Sequence, residues 1–158
     1  MNTDHRNQDG VTLVELLVVV AILGILGIIT GLFLMKYLPE HHLRSAASTL
    51  SQDLRQAQMG ALKRLRPWTV DFDAGAHVYQ VRDSGPDASL DSADDIIAKT
   101  VNLMTYDGTI RFEAGTDARM RFNEDGTGTA TVLVLMSNSR GTILTTEISR
   151  TGAIRVTK

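Results

Sequence analysis

A chain of 158 residues has room for one domain and a short appendage, and its formal charge of −2 excludes a surface adapted throughout to nucleic acid, though not a local basic patch. The absence of cysteine rules out a disulfide framework, a thiolate zinc site and a cysteine nucleophile, so stability must come from packing. An apolar content of 43% is ordinary, but Val11 to Met35 is almost wholly apolar while everything after Lys36 reads as soluble, which divides the chain into a membrane segment and a water-facing domain.

From Leu16 to Met35 twenty consecutive residues carry no charge. At about 1.5 Å rise per residue that run matches a hydrocarbon core of about 30 Å. A secretory signal peptide has a basic start, a shorter apolar run and a small-residue exit, none of which fits here. Glu15 is the unusual residue, a carboxylate at the head of the apolar run. A centrally placed Asp costs roughly 2.5–3.5 kcal/mol on insertion scales, and Glu at this edge costs less, so the residue calls for a partner or for a route to the headgroups.

The run Gly10-Val11-Thr12-Leu13-Val14-Glu15-Leu16-Leu17-Val18 resembles the class III signal of type IV pilins and pseudopilins, in which a membrane peptidase cuts after glycine and the new N-terminus is methylated. The resemblance implies that Met1 to Gly10 is a leader, that Val11 is the methylated first residue of the mature chain, and that Glu15 is the assembly acid five positions into it. It further implies that Glu15 pairs with the terminal amine of a neighbouring subunit and sets axial register where an unpaired charge is expensive. Val11 stands where phenylalanine is commoner. Orientation also comes from the resemblance, because Arg6 is balanced by Asp4 and Asp9 while Lys36 and Arg44 follow the span. The proline common midway through pilin membrane helices is missing, and Gly24, Gly27 and Gly31 suit close helix contacts instead.

Pro39 is expected to kink or interrupt the helix, since it has no amide proton and its ring crowds the preceding turn. Beyond it Leu43, Ala47, Leu50, Leu54, Ala57, Ala61 and Leu65 recur at helical spacing, with Arg44, Gln52, Asp53, Arg55, Gln56 and Lys63 mostly elsewhere on the wheel, which predicts an amphipathic helix with one packed stripe. After Pro67 the period changes. Strands are predicted at 68–73, 77–82, 96–104, 109–113, 119–123, 129–136, 142–149 and 153–157, separated by turns at Gly75, Gly108, Gly115, Gly126, Gly141 and Gly152. The fold class is therefore α+β: a long N-terminal helix, membrane-spanning in its first half and amphipathic in its second, packed on an antiparallel β-rich head in two sheets. The boundaries are 1–10 for the leader, 11–38 for the transmembrane or filament-core helix, 39–66 for the amphipathic helix and 67–158 for the periplasmic head.

The stretch Leu50-Ser51-Gln52-Asp53-Leu54-Arg55-Gln56-Ala57 before strand Val70–Phe72, and the C-terminal Arg121-Phe122-Asn123-Glu124-Asp125-Gly126 and Thr146 to Val156, resemble the GspH/FimT group of minor pseudopilins and pilins. The implied function is structural: a minor pseudopilin at or near the tip of a type II secretion pseudopilus, made in the inner membrane with its head in the periplasm. Its implied partners are other major and minor pseudopilins or pilins, the prepilin peptidase, the inner-membrane assembly platform and, before assembly, membrane lipid. Two alternatives stay open, a minor type IV pilin in pilus assembly or DNA uptake, and a single-pass anchor whose β head binds a ligand or protein; the last leaves Gly10 and Glu15 unexplained.

No phosphate loop and no catalytic triad can be assembled, so neither an enzyme nor a cofactor is expected. His41 and His42 are adjacent, about 100° apart on a helix, and read as solvated residues near the membrane surface rather than a metal pair. Asp83, Asp87, Asp91, Asp94 and Asp95 lack the spacing of a calcium loop and read as a mobile acidic loop, so no metal site is predicted. Arg119 and Arg121 share a strand face, and Arg150, Arg155 and Lys158 form a candidate phosphate-binding strip for DNA. Competence-associated members of the resembled group tend to carry Gly-Arg-x-Arg near the C-terminus. This chain reads Gly152-Ala153-Ile154-Arg155, and the missing arginine counts against nucleic acid as a partner.

Overall fold

The computed structural model describes residues 12–158. Helix α1 is assigned from Leu13 to Arg64, and the chain divides into two compact units, one ending at Tyr37 and one running from Leu38 to Lys158. In the first unit the helix forms although Val18, Val19 and Val20 are poor helix formers in water, and its large apolar side chains are exposed along its whole length, from Leu13 to Tyr37. Such a segment is long and apolar enough to cross a membrane, where a helix satisfies every backbone polar group internally. Beyond the adjacent residues and the helix's own backbone, nothing comes within 4 Å of a Cβ position at Gly24, Gly27 or Gly31, so these three leave shallow notches on the helix surface.

The helical assignment continues through Pro39, where the sequence predicts a kink or a break. Proline removes one amide donor, and the flanking turns keep theirs, so interruption does not follow. In the second unit the packed stripe comprises Leu43, Ala46, Ala47, Leu50, Leu54, Ala57 and Ala61. Leu65, predicted as its last member, is instead 70% exposed. The helix has ended one residue earlier: Leu65 takes a left-handed φ of 50°, the Arg66 amide donates back to the Ala61 carbonyl at 3.4 Å, and Pro67 follows. That is a Schellman stop with leucine in the position glycine usually holds.

The head contains eight strands, β1 Trp68–Asp73, β2 Val78–Asp83, β3 Ile96–Asn102, β4 Arg111–Phe112, β5 Arg119–Phe122, β6 Val132–Ser137, β7 Ile143–Ile148 and β8 Ile154–Thr157. They form two four-stranded antiparallel sheets, ordered β3-β2-β1-β5 and β4-β6-β7-β8. Every predicted strand is present, most with trimmed ends. The third gives way at Leu103 to a 3₁₀ turn capped by Asn102, and the fourth keeps only two residues. Alternation along β2, β5 and β7 sends Tyr79 and Val81, Met120 and Phe122, and Leu144 and Ile148 inward, to meet the α1 stripe in one core. Phe72 of β1 stands edge-on to Phe112 of β4, ring centroids 5.8 Å apart, and so ties the two sheets together.

Asp53 breaks the helical-wheel expectation. It is 3% exposed, accepting a hydrogen bond from the Tyr79 hydroxyl at 2.6 Å and contacts from Lys99 Nζ at 2.7 and 2.8 Å. A buried carboxylate is tolerable only with such partners, and these come from β2 and β3. Lys99 also guards an edge. Strand β3 is exposed along nearly all its length, and a charged side chain turned towards the core, with a register shift opposite Val81 and Arg82, discourages another chain from pairing with it.

Candidate assembly site

Gly10 and Val11, the predicted cleavage pair, lie outside the described residues. The described chain starts one residue later and immediately makes a helix cap. Thr12 Oγ1 accepts the Glu15 amide at 3.3 Å, and the Thr12 carbonyl accepts the Leu16 amide at 3.2 Å. Thr12-Leu13-Val14-Glu15 has the Thr-x-x-Glu spacing of a capping box, a signal the sequence carries and that pairing arguments alone overlook. Glu15 thus sits in the first helical turn, exposed, where the partial positive charge of the helix N-terminus favours a carboxylate. Chemically the arrangement supplies one acidic group at the end of an exposed apolar helix, a surface whose stabilisation requires lipid or other helices.

Several charges of the head are paired within it. Asp83, predicted to belong to the acidic loop, is instead the buried last residue of β2, 1% exposed, and pairs with Arg64 and Arg66 at 2.6 Å each. Asp91 receives a two-pronged bond from Arg119 at 2.7 and 2.9 Å, and Arg119 also pairs with Asp71. Asp91 holds Arg119 firmly in its charged form, and Arg119 in turn holds the Asp91 carboxyl below the usual carboxylate range. The acidic segment is therefore laced onto the outer face of the first sheet, where composition alone suggested a mobile loop. Among the described residues no three His, Asp or Glu side chains converge as metal ligands.

His42 also departs from expectation: its Nδ1 lies 2.6 Å from the Tyr106 carbonyl, half-buried against the head, whereas His41 is exposed. Of the candidate DNA strip, Lys158 pairs with Glu40 at 3.1 Å, Arg155 of β8 stands in register with Glu147 of β7, and Arg150 is exposed in the preceding turn. Lys158, ahead of Arg44, holds the Glu40 carboxyl below its ordinary value.

Comparison with known proteins follows the same division of the chain. The family described as Type II transport protein GspH matches residues 46–152, more than half of the sequence, and the prokaryotic N-terminal methylation motif matches residues 5–31. Among solved structures, the type IV minor pilin FimU of Pseudomonas aeruginosa aligns with a TM-score of 0.57 at 14% identity, over 75% of this chain and 90% of that one. The minor pseudopilin EpsH from the type 2 secretion system of Vibrio cholerae aligns with a TM-score of 0.58 at 12% identity, over 73% of this chain and 96% of that one. At such identities the likeness shows the fold. No curated protein sequence gives a significant match.

Proposed function

We propose that this chain, which belongs to the GspH family of type II transport proteins and is a minor pseudopilin, is cut between Gly10 and Val11, methylated at Val11, and packed into the pseudopilus through Glu15. Membership carries with it a non-enzymatic, structural role, processing by prepilin peptidase, assembly with other pseudopilins, and residence in the inner membrane and then the periplasmic filament. The observation that carries the residue assignment is the methylation motif over residues 5–31 running into a helix that is capped at Thr12, acidic at Glu15 and apolar from Leu16 to Met35.

The physical logic is an exchange of solvents. In the membrane, lipid covers the apolar face of α1; in the filament, neighbouring helices replace lipid, and close packing rather than hydrophobic transfer supplies the attraction. Gly24, Gly27 and Gly31, with nothing near their Cβ positions, let helices approach there. A new cationic amine at Val11 on one subunit gives Glu15 of the next a partner in that greasy setting and fixes the axial step. The chain's place is at or near the filament tip among other minor subunits, reached through the inner-membrane assembly platform.

Intact mass and N-terminal sequencing of membrane-extracted protein, from cells with and without prepilin peptidase, test the processing step. A chain beginning at methylated Val11 only when the peptidase is present is the expected result. Retention of Met1 to Gly10 in both strains overturns the proposal and makes the protein a static anchor with a binding head. Site-specific cross-linking from the head to other minor subunits, and absence of cross-links along the filament shaft, tests the tip position.

A further inference from the structure

Three arginines and two aspartates meet on the outer face of the first sheet. Arg82 contacts Asp71 at 3.2 Å and Asp91 at 3.8 Å, Arg119 grips Asp91 with both terminal nitrogens at 2.7 and 2.9 Å, and Arg121 lies two residues along the same face of β5. Among the described residues Arg121 makes no ion pair, although Glu124 and Asp125 line a shallow hollow on its far side. Between the loop and β5 lies an open cavity of about 530 Å³ whose walls include Ser89, Asp91, Arg119, Arg121 and Thr129.

Asp91 enters this cavity from a loop held in a costly shape. Asp91 itself has φ 64° and Ala88 has φ 55°, the latter in a region alanine rarely adopts. Asp91 is also exposed, so its two-pronged bond to Arg119 is open to competition from solution. The bond is nevertheless the planar carboxylate–guanidinium fork that arginine uses to recognise carboxylates in other chains.

The geometry points to Asp91 as an internal stand-in for a carboxylate ligand: an isolated Asp or Glu side chain of a protein partner displaces it, taking Arg119 through the same fork and Arg121 as an added donor. Release of the 84–95 loop then accompanies binding. A nucleic-acid strand fits less well, because Asp71, Glu124 and Asp125 flank the two arginines and repel a run of phosphates, whereas a single carboxylate that takes the place of Asp91 adds no negative charge to the cluster. This interaction surface on the head does not depend on how the N-terminus is processed.

The test uses full-length protein in detergent micelles at low salt, with the arginine side-chain Nε–H signals followed by NMR during titration with a Gly-Ser-Glu-Ser-Gly peptide blocked at both ends. Saturable shifts at Arg119 and Arg121 are expected, with apparent affinity about tenfold higher or more in Asp91→Asn, because the variant raises the fraction of open site. Arg121→Gln on the Asp91→Asn background, a substitution at an exposed residue without an ion pair, is expected to weaken binding severalfold while leaving the other side-chain signals in place. Equal affinity in the wild type and Asp91→Asn overturns the inference. So does equal binding of the Gly-Ser-Gln-Ser-Gly peptide, or tighter binding of a short oligothymidylate at the same arginines, which makes the face a nucleic-acid surface.

Discussion

Replacing Tyr79 by phenylalanine deletes one hydroxyl from the buried contact between α1 and β2 and leaves the ring packing intact. Tyr79 is fully buried, and its hydroxyl donates to Asp53 Oδ2 at 2.6 Å. A hydrogen bond to a charged acceptor is worth roughly 1.5–3 kcal/mol, and Asp53 keeps two contacts to Lys99 Nζ, so the expected loss is about 2 kcal/mol. The Lys99 side chain is 41% exposed, but Lys99→Met leaves the buried Asp53 carboxylate without its cation and is expected to cost more than Tyr79→Phe, about 2–4 kcal/mol. Asp53→Ala strands both partners and is expected to cost the most, about 3–5 kcal/mol. Urea unfolding of the detergent-solubilised protein, read from the emission of Trp68, the chain's one tryptophan, ranks the three. The pH dependence adds a second readout. Burial, then the bond to Asp53, pushes Tyr79 well above its ordinary value of 10.0. A folded-state value above the unfolded one means stability is fully present below pH 10 and declines as pH rises beyond it, by up to ~1.4 kcal/mol per pH unit. Tyr79→Phe is expected to remove that component of the decline. A cost for Tyr79→Phe below about 0.5 kcal/mol, or a Lys99→Met cost smaller than it, refutes the ordering argued from the burial of Asp53.

Gly60→Ala gains helix propensity but places a Cβ 2.7 Å from the Trp68 ring, a rigid neighbour; a net loss of about 1–3 kcal/mol and a shifted Trp68 emission are expected on thermal unfolding. Leu65→Gly, at an exposed position with φ 50°, is expected to stabilise by roughly 1 kcal/mol, measured as a raised denaturation midpoint with unchanged m-value. Asp83→Ala leaves Arg64 and Arg66 without their shared carboxylate and is expected to cost about 3 kcal/mol in the same urea assay. Glu15→Leu is expected to leave head stability within about 0.5 kcal/mol of wild type while reducing recovery of the protein in sheared filament fractions, a comparison of denaturation curves with immunoblots.

Periodicity served well wherever one physical term dominated. The apolar run predicted the membrane helix, helical spacing predicted all but one of the stripe residues it named, and glycine turns divided the head into eight strands. Errors arose at one local helix stop and at places governed by contacts between distant segments. Leu65 has the right spacing for the stripe, but a left-handed residue before Pro67 ends the helix first. Asp53 stands at the edge of the stripe, where an aspartate reads as a solvated flank until β2 and β3 bring Tyr79 and Lys99 over it. The acidic loop has the composition of a mobile segment, but Arg119, 28 residues along the chain from Asp91, and Arg82 hold it to the sheet.

The N-terminal half of the reading is therefore local chemistry written into consecutive residues: a glycine before an apolar run, a threonine cap, a carboxylate at the third helical position and no charge for the width of a bilayer. Lipid imposes one solution on such a segment, because every amide must be satisfied within the helix, and so sequence alone suffices. In the head the deciding interactions are pairs of charges and hydroxyls separated by tens of residues, and their worth depends on burial and geometry that only the packed sheets create.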